Sequence, residues 1–347
     1  MAKRRLLLWL ESKAEAWRIP DAEVSGLRRD FEDLEVDRAT TPGELAAKIG
    51  QAEILFSWVP GDDAMARAVH LRWLHVPAAG VGAFLTPAFL ASGAALTNSR
   101  GAHAIPIAEH VLATLLSLAR DLPRAWTEQK SQAGMHREGW WTSAGMPREL
   151  QGKTLGIFGY GLIGREVARR AAAFGMRVVA LKRRVEKPRT WDDALLDALQ
   201  LPREEPPVDA FLGTGDFDRL LAESDALVVS AALTAETEGR FDADAFARVR
   251  PGAWFVNVAR GKLVDETALA AAVRDGRLAG AALDVFAAEP LPRASELYTL
   301  DRVILSPHVS GVSRAFWPRA LSLFRENLRR DVRGEPLLNR VDPARGY

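Results

Sequence analysis

The stretch that decides the fold runs Thr154-Leu155-Gly156-Ile157-Phe158-Gly159-Tyr160-Gly161-Leu162-Ile163-Gly164, followed by Arg165-Glu166-Val167-Ala168-Arg169-Arg170-Ala171-Ala172. It reads as an apolar strand, a turn with G-x-G-x-x-G spacing, and the opening of a helix. The spacing alone is a weak signal in a chain with 27 glycines. Between a strand and a helix it acquires a mechanism. Gly159 permits the tight turn, Gly161 lets a pyrophosphate approach the backbone, and Gly164 lets helix and strand pack closely. The anion then meets N–H groups at the positive end of the helix, with Tyr160, Leu162 and Ile163 completing the loop. A dinucleotide site is expected here; a purely structural glycine turn is the bland alternative.

Outward from this stretch, short apolar runs alternate with amphipathic segments. Leu6–Leu10, Ile54–Val59 and Trp73–Val76 precede it. Val178–Leu181, Ala226–Ala231, Trp254–Asn257, Ala281–Val285 and Val303–Leu305 follow, with helical stretches at Ile107–Arg120, Arg165–Ala173 and Glu266–Asp275. This alternation predicts an α/β chain with two doubly wound parallel-sheet domains. One boundary is expected near Asn98–Ala104 and another near Leu305–Gly311, after which Arg314–Arg333 reads as an amphipathic helix returning to the first domain. Proline and charge peak between Val185 and Pro207 (Lys187-Pro188-Arg189, Pro202-Arg203-Glu204-Glu205-Pro206-Pro207), which predicts a surface excursion with a short helix at Trp191–Leu201.

Composition narrows the class. A chain of 347 residues suits two domains, and 48% hydrophobic with 26% charged residues is ordinary for a globular protein. A net charge of +1 makes nucleic acid or a membrane surface a poor partner. No stretch reaches the ~20 apolar residues that span a bilayer. Met1-Ala2-Lys3-Arg4-Arg5 before Leu6–Leu10 imitates a signal peptide, but Glu11 ends the run and a buried first strand fits better. With no cysteine there is no disulfide, thiolate chemistry or Cys-based metal site, and no metal is expected. Cytoplasm is the default compartment.

The strand after the glycine turn, Met176–Leu181, ends where a carboxylate would bond the 2′-hydroxyl of NAD. Here it ends in Lys182-Arg183-Arg184. Three cations attract a 2′-phosphate that a carboxylate would repel, so NADP(H) is preferred and NAD(H) remains possible. A solvated basic loop is the alternative reading.

Further motifs follow in order: Ala79-Gly80-Val81-Gly82, Ile107-Ala108-Glu109-His110, Glu149-Leu150-Gln151-Gly152-Lys153-Thr154-Leu155-Gly156, Leu233-Thr234-Ala235-Glu236-Thr237, Asn257-Val258-Ala259-Arg260-Gly261, Ala282-Leu283-Asp284-Val285-Phe286-Ala287-Ala288-Glu289-Pro290 and Ser306-Pro307-His308-Val309-Ser310-Gly311. On these, from about Gly80 to Gly311, the chain resembles the D-isomer-specific 2-hydroxyacid dehydrogenases, which include glyoxylate/hydroxypyruvate reductases. The resemblance implies a Rossmann nucleotide-binding domain, residues 102–308, inserted in a flavodoxin-like substrate domain, residues 1–101 and 309–347. It implies a catalytic trio of Arg260, Glu289 and His308. The chemistry is sensible on its own terms. Hydride reduction of a ketone builds charge on oxygen, and a histidine can supply the proton near neutrality. A carboxylate on its other nitrogen orients the ring, and a guanidinium fork holds a carboxylate and polarises the carbonyl. Singly, each has a plain alternative as a structural histidine, a loop charge or a helix cap.

The resemblance also implies that Asp284 holds the nicotinamide carboxamide, that Val258 and Ala259 line its ring, and that the Gly80 and Val81 N–H groups bind the substrate carboxylate beside Arg260 and His308. Asp284 could equally be a strand-end cap. The substrate expected is a small 2-keto or 2-hydroxy acid, and the assembly a homodimer through Ile107–Arg120 and the segment to Trp141. Trp58, Trp140 and Trp141 are substrate-pocket candidates, although interface packing is the simpler reading. Three departures stand out: Lys182 where an acidic residue is usual, Ala232 where proline is usual, and a longer Val185–Gly215. Residues before about 75 carry no family motif, and too little sequence follows Gly311 for the regulatory domain of some phosphoglycerate dehydrogenases. Formate or phosphite dehydrogenase chemistry lacks its signature residues here. A non-enzymatic dinucleotide sensor or corepressor and a structural protein with a vestigial site are the rival classes.

Overall fold

In the computed structural model, which describes residues 3–132, 137–142, 146–185 and 191–344, every pairing between named strands is parallel. Lys187-Pro188-Arg189 and Met1-Ala2 fall outside the described residues. The chain divides into two compact units: Met1–His103 with Thr190–Arg203 and Val312–Tyr347, and Ala104–Arg189 with Glu204–Gly311.

The first unit carries β1 (Arg4–Trp9), β2 (Leu34–Arg38), β3 (Ile54–Ser57), β4 (Trp73–Val76) and β5 (Ala95–Asn98), in the order β2-β1-β3-β4-β5. The helix Phe316–Arg333 belongs to this unit and buries Phe316, Trp317, Leu321, Phe324 and Leu328. The segment Thr190–Arg203 also belongs here, which corrects its reading as a mere surface excursion. Its expected helix is present as Asp193–Ala198, N-capped by Asp192. Leu195, Leu196, Leu199 and Leu201 are buried, and Arg330 donates to both oxygens of Asp192 at 3.2 Å. Four buried leucines outweigh the charge density that made the stretch look solvated.

The second unit holds β6 (Thr154–Phe158), β7 (Arg177–Leu181), β8 (Ala210–Leu212), β9 (Ala226–Val229), β10 (Ala253–Asn257), β11 (Leu278–Leu283) and β12 (Val303–Leu305), ordered β12-β11-β10-β9-β6-β7-β8. Strand order reverses at β6, between β7 and β9, and ligands bind outside the carboxyl ends of such sheets at that point. β2, β5 and β8 were not expected from sequence. β2 interleaves Glu35 and Asp37 with its apolar residues, and β8 is a three-residue strand at the edge of its sheet. β5 runs into the polar stretch taken as a boundary.

The apolar runs explain the cores. β6, β9 and β10 are buried along their whole length, as a central strand covered on both faces must be. At the carboxyl edge of the second sheet, the loops after β10 and β11 meet at Gly261. A Cβ there would fall 1.8 Å from the Phe286 carbonyl carbon and 2.2 Å from Ala287 N, so only glycine lets the loop carrying Arg260 lie against the loop carrying Glu289. Among the described residues no helix is long and apolar enough to cross a membrane, and no group of three or more His, Asp or Glu side chains is arranged to hold a metal ion. Gly261→Ala is expected to lower stability by ~1–3 kcal/mol through this overpacking, read from denaturant unfolding. An unchanged midpoint would show that the loops part without cost.

Candidate active site

The glycine turn follows β6 directly. Gly159 has φ +100°, and a Cβ there would lie 2.6 Å from the Ala231 backbone, so β9's first loop residues exclude any other side chain. Gly159 N donates to Leu181 O at 3.1 Å, which seats the turn beside the end of β7. Gly161 is the N-cap of the helix Leu162–Ala173 and offers no capping side chain, and a Cβ on it would meet nothing within 4 Å. This open cradle at an uncapped helix start is what a pyrophosphate requires. Gly164 packs so that a Cβ would reach 2.7 Å from Gly159 O. Tyr160 and Leu162 are buried, and Ile163 is half-buried.

Lys182 leaves the end of β7 with its Nζ 4.1 Å from the centroid of the Phe211 ring. Phe211 in turn meets Tyr160 edge-on at 5.0 Å. The ring draws the ammonium toward β8 by a cation–π attraction. Arg183 and Arg184 are exposed. The three cations thus flank the glycine turn by strand register, since Phe158 pairs with Leu181.

On the other half of the sheet, His308 Nδ1 lies 2.8 Å from Glu289 Oε2. Glu289 Oε1 accepts from Phe286 N at 3.0 Å, which fixes the carboxylate's orientation. Partial burial pushes the Glu289 carboxyl up. The hydrogen bonds from His308 and Phe286, with the charges of His308 and Arg260, outweigh it and hold the group below the usual carboxylate value. Arg260, exposed, leaves the end of β10 in an extended conformation, and one guanidinium nitrogen donates to Ala259 O at 2.6 Å. The trio is therefore assembled on the ends of β10, β11 and β12.

Asp284 is where the structure adds most. It is buried at the end of β11, and Oδ1 accepts from Ser306 Oγ at 2.6 Å and Val309 N at 2.9 Å, while Oδ2 accepts from Ser310 N at 2.9 Å. His308 N donates to Asp284 O at 2.8 Å. Both ends of Asp284 thus clamp the loop that presents His308, whose φ of +55° is a conformation few side chains accept. That is the cap-like role left open from sequence.

Asn257 does the same for Arg260: its side chain accepts from Ala259 N and donates to Arg260 O, each at 3.0 Å. Val258 and Ala259 are buried in this turn. Asn257 and Ser306 went unassigned from sequence; the usable signal is a polar residue directly after an apolar run. Gly80 and Val81 lie in the first unit, after β4, with Val81 buried at the start of the short turn Gly82–Phe84 and Asn98 Nδ2 donating to Ala79 O at 2.8 Å. Trp140 is engaged locally, donating to Glu128 at 3.0 Å beneath the Arg124 guanidinium, and Trp141 is exposed beside Arg137.

Comparison with known proteins agrees with this geometry. The family described as D-isomer specific 2-hydroxyacid dehydrogenase, NAD binding domain, matches residues 112–310. A D-3-phosphoglycerate dehydrogenase of Archaeoglobus fulgidus is 31% identical over 328 residues, 93% of this chain and 58% of its own length. The chain spans about half the length of several such curated relatives. A glyoxylate reductase of Korarchaeum cryptofilum is 32% identical over 70% of this chain and 68% of its own length. The crystal structure of a D-isomer specific 2-hydroxyacid dehydrogenase from Xanthobacter autotrophicus Py2, in complex with NADPH and MES, superposes with a TM-score of 0.78 at 30% identity over 100% of both chains. Sheet order, glycine turn and motif order lead to one conclusion: the chain belongs to the D-isomer specific 2-hydroxyacid dehydrogenases.

Proposed function

We propose that this protein interconverts a small 2-keto acid and the D-2-hydroxy acid with NADP(H), and the observation that carries this is the His308–Glu289 pair at 2.8 Å on the sheet that bears the glycine turn. Bound NADPH supplies the hydride that adds to C2. Nδ1 of His308 is engaged by Glu289, which leaves Nε2 to give its proton to the carbonyl oxygen and regain it in oxidation. Glu289, its carboxyl held below the usual carboxylate value, stays ionised and orients the ring. Arg260 binds the substrate carboxylate and polarises the carbonyl. Gly159–Gly164 hold the pyrophosphate, Lys182, Arg183 and Arg184 the 2′-phosphate, and Val258, Ala259 and Asp284 border the nicotinamide. A homodimer is the expected assembly, in keeping with Leu122 and Trp126 exposed on the helix Leu122–Ser131.

Nicotinamide absorbance during incubation with glyoxylate, hydroxypyruvate, pyruvate and phenylpyruvate tests the reaction class. NADPH oxidation with at least one of them is expected; dinucleotide binding without turnover would favour a sensor instead. His308→Asn, a residue that tolerates positive φ, and Arg260→Ala should each abolish reduction while dinucleotide binding is nearly retained. Replacing Lys182 and Arg184 by glutamate should raise KM for NADPH on the order of tenfold or more, as loss of charge-assisted bonds implies, with little effect on NADH. Equal effects on both would sink the 2′-phosphate assignment. Glu289→Gln removes the charged acceptor that orients the imidazole, so kcat for reduction should fall while dinucleotide affinity is nearly retained. An unchanged kcat would confine Glu289 to a steric role.

A further inference from the structure

Between β7 and β9 the chain carries the longer segment that the sequence leaves without a role. Its acidic pair, Glu204-Glu205, is exposed yet tied to the glycine-turn helix. Glu205 Oε1 accepts from Arg165 Nε at 3.0 Å, and Glu205 Oε2 accepts from the Tyr160 hydroxyl at 3.2 Å. Glu204 O accepts from Arg165 Nη2 at 2.8 Å and from Arg169. Arg165 is fully buried, while the Glu205 side chain is half-exposed. Burial, and the Glu205 carboxylate beside it, push the Tyr160 hydroxyl well above its ordinary value, so it remains a donor.

Tyr160 is the residue between the first two glycines of the turn, and Arg165 lies in the helix that the turn opens. Glycines on either side of Tyr160 offer no side chain by which the turn could be anchored. Backbone bonds hold Gly159, whose N donates to Leu181 O and whose O accepts from Ser230 Oγ. The side-chain hold on the turn itself comes from the Tyr160 ring, packed in the core, and from its hydroxyl. We propose that Glu205 acts as a brace on the dinucleotide-binding turn, setting cofactor affinity by holding Tyr160 and Arg165. This rests on the dinucleotide reading above and gives the long segment a function that neither the glycine motif nor the catalytic trio supplies. Glu205 is a positioning residue: it acts on the cofactor through Tyr160.

The sign of its effect separates positioning from simple charge. A carboxylate near a phosphate site repels the anion, so if charge alone mattered, removing Glu205 would tighten binding. A brace predicts the reverse. The test is titration of NADPH and NADH into wild type, Tyr160→Phe, Glu205→Ala and Glu205→Gln, followed by intrinsic fluorescence. Tyr160→Phe and Glu205→Ala should each weaken both dinucleotides about fivefold, the worth of one hydrogen bond, because the pyrophosphate is common to the two. Glu205→Gln can accept from Arg165 through its oxygen and donate to the Tyr160 oxygen through its amide, so it should weaken binding less than Glu205→Ala. The Tyr160→Phe/Glu205→Ala double variant should be weaker by much less than the product of the single effects. Hydrogen exchange on the ligand-free protein supplies a readout independent of cofactor: amides of Gly159–Gly164 should exchange faster in Tyr160→Phe and Glu205→Ala, while those of β10 do not change. Tyr160→Phe keeps the buried Arg165–Glu205 pair and so remains informative if Glu205→Ala fails to fold. Tighter binding in both Glu205 variants, or unchanged affinity together with unchanged exchange in the turn, would overturn the brace. A wild type that binds neither dinucleotide, but whose variants show the faster exchange, would overturn the cofactor reading and leave the brace as a hold on the turn alone.

Discussion

Everything at the site depends on the parallel ladder. Parallel strands connected by right-handed crossovers put all their carboxyl ends on one edge, whatever the residues there. Seven strands ordered β12-β11-β10-β9-β6-β7-β8 therefore bring the starts of loops distant in sequence to one line: Gly159, Lys182, Asn257, Asp284 and Ser306. Because strand order reverses at β6, the cationic end of β7 lies on one side of the glycine turn and Arg260, Glu289 and His308 on the other. The proposed hydride transfer needs the same division, with phosphates at one end and the reacting carbon at the other.

Much of this is legible in the residues alone. The glycine turn could be read because its three positions answer to three separate constraints: a positive φ at Gly159, open space at Gly161 and close packing at Gly164. Buried strands such as β6 and β10 announced themselves as continuous apolar runs. Polar residues used for support were harder to read. Asn257 works through backbone atoms of its own following loop, and Asp284, whose cap-like role stayed open beside a cofactor role, through those of the loop after β12; no periodicity marks either. The acidic pair Glu204-Glu205 looked like a solvated charge run, because its cationic partner Arg165 sits in a helix some forty residues earlier. Only the folded chain joins them. β2 and β8 escaped for a related reason: an edge strand buries less, so its pattern is diluted.

Charge in this unit is handled by pairing within short reach. Arg165 lies buried against Glu205 and Glu204, and Glu166 is buried with Arg169 and Arg170 on it. Buried ions are tolerated only when so satisfied, and removal of one partner costs far more than the pair contributes. The helix of the glycine turn is thereby locked to its surroundings by polar contacts on one side and by Val167, Ala168 and Ala171 on the other.

The clamp at Asp284 has a further consequence for how the protein fails. Asp284 ends β11, but the loop it grips leaves β12, a three-residue strand at the rim of the sheet whose residues are all only half-buried. The glycine turn, by contrast, leaves β6 in the middle. Rim strands open locally at far lower free energy than central ones. Heat or denaturant should therefore loosen the loop that carries His308 before the turn at Gly159. Under the proposed function dinucleotide binding then outlasts turnover, and failure begins at one border of the sheet.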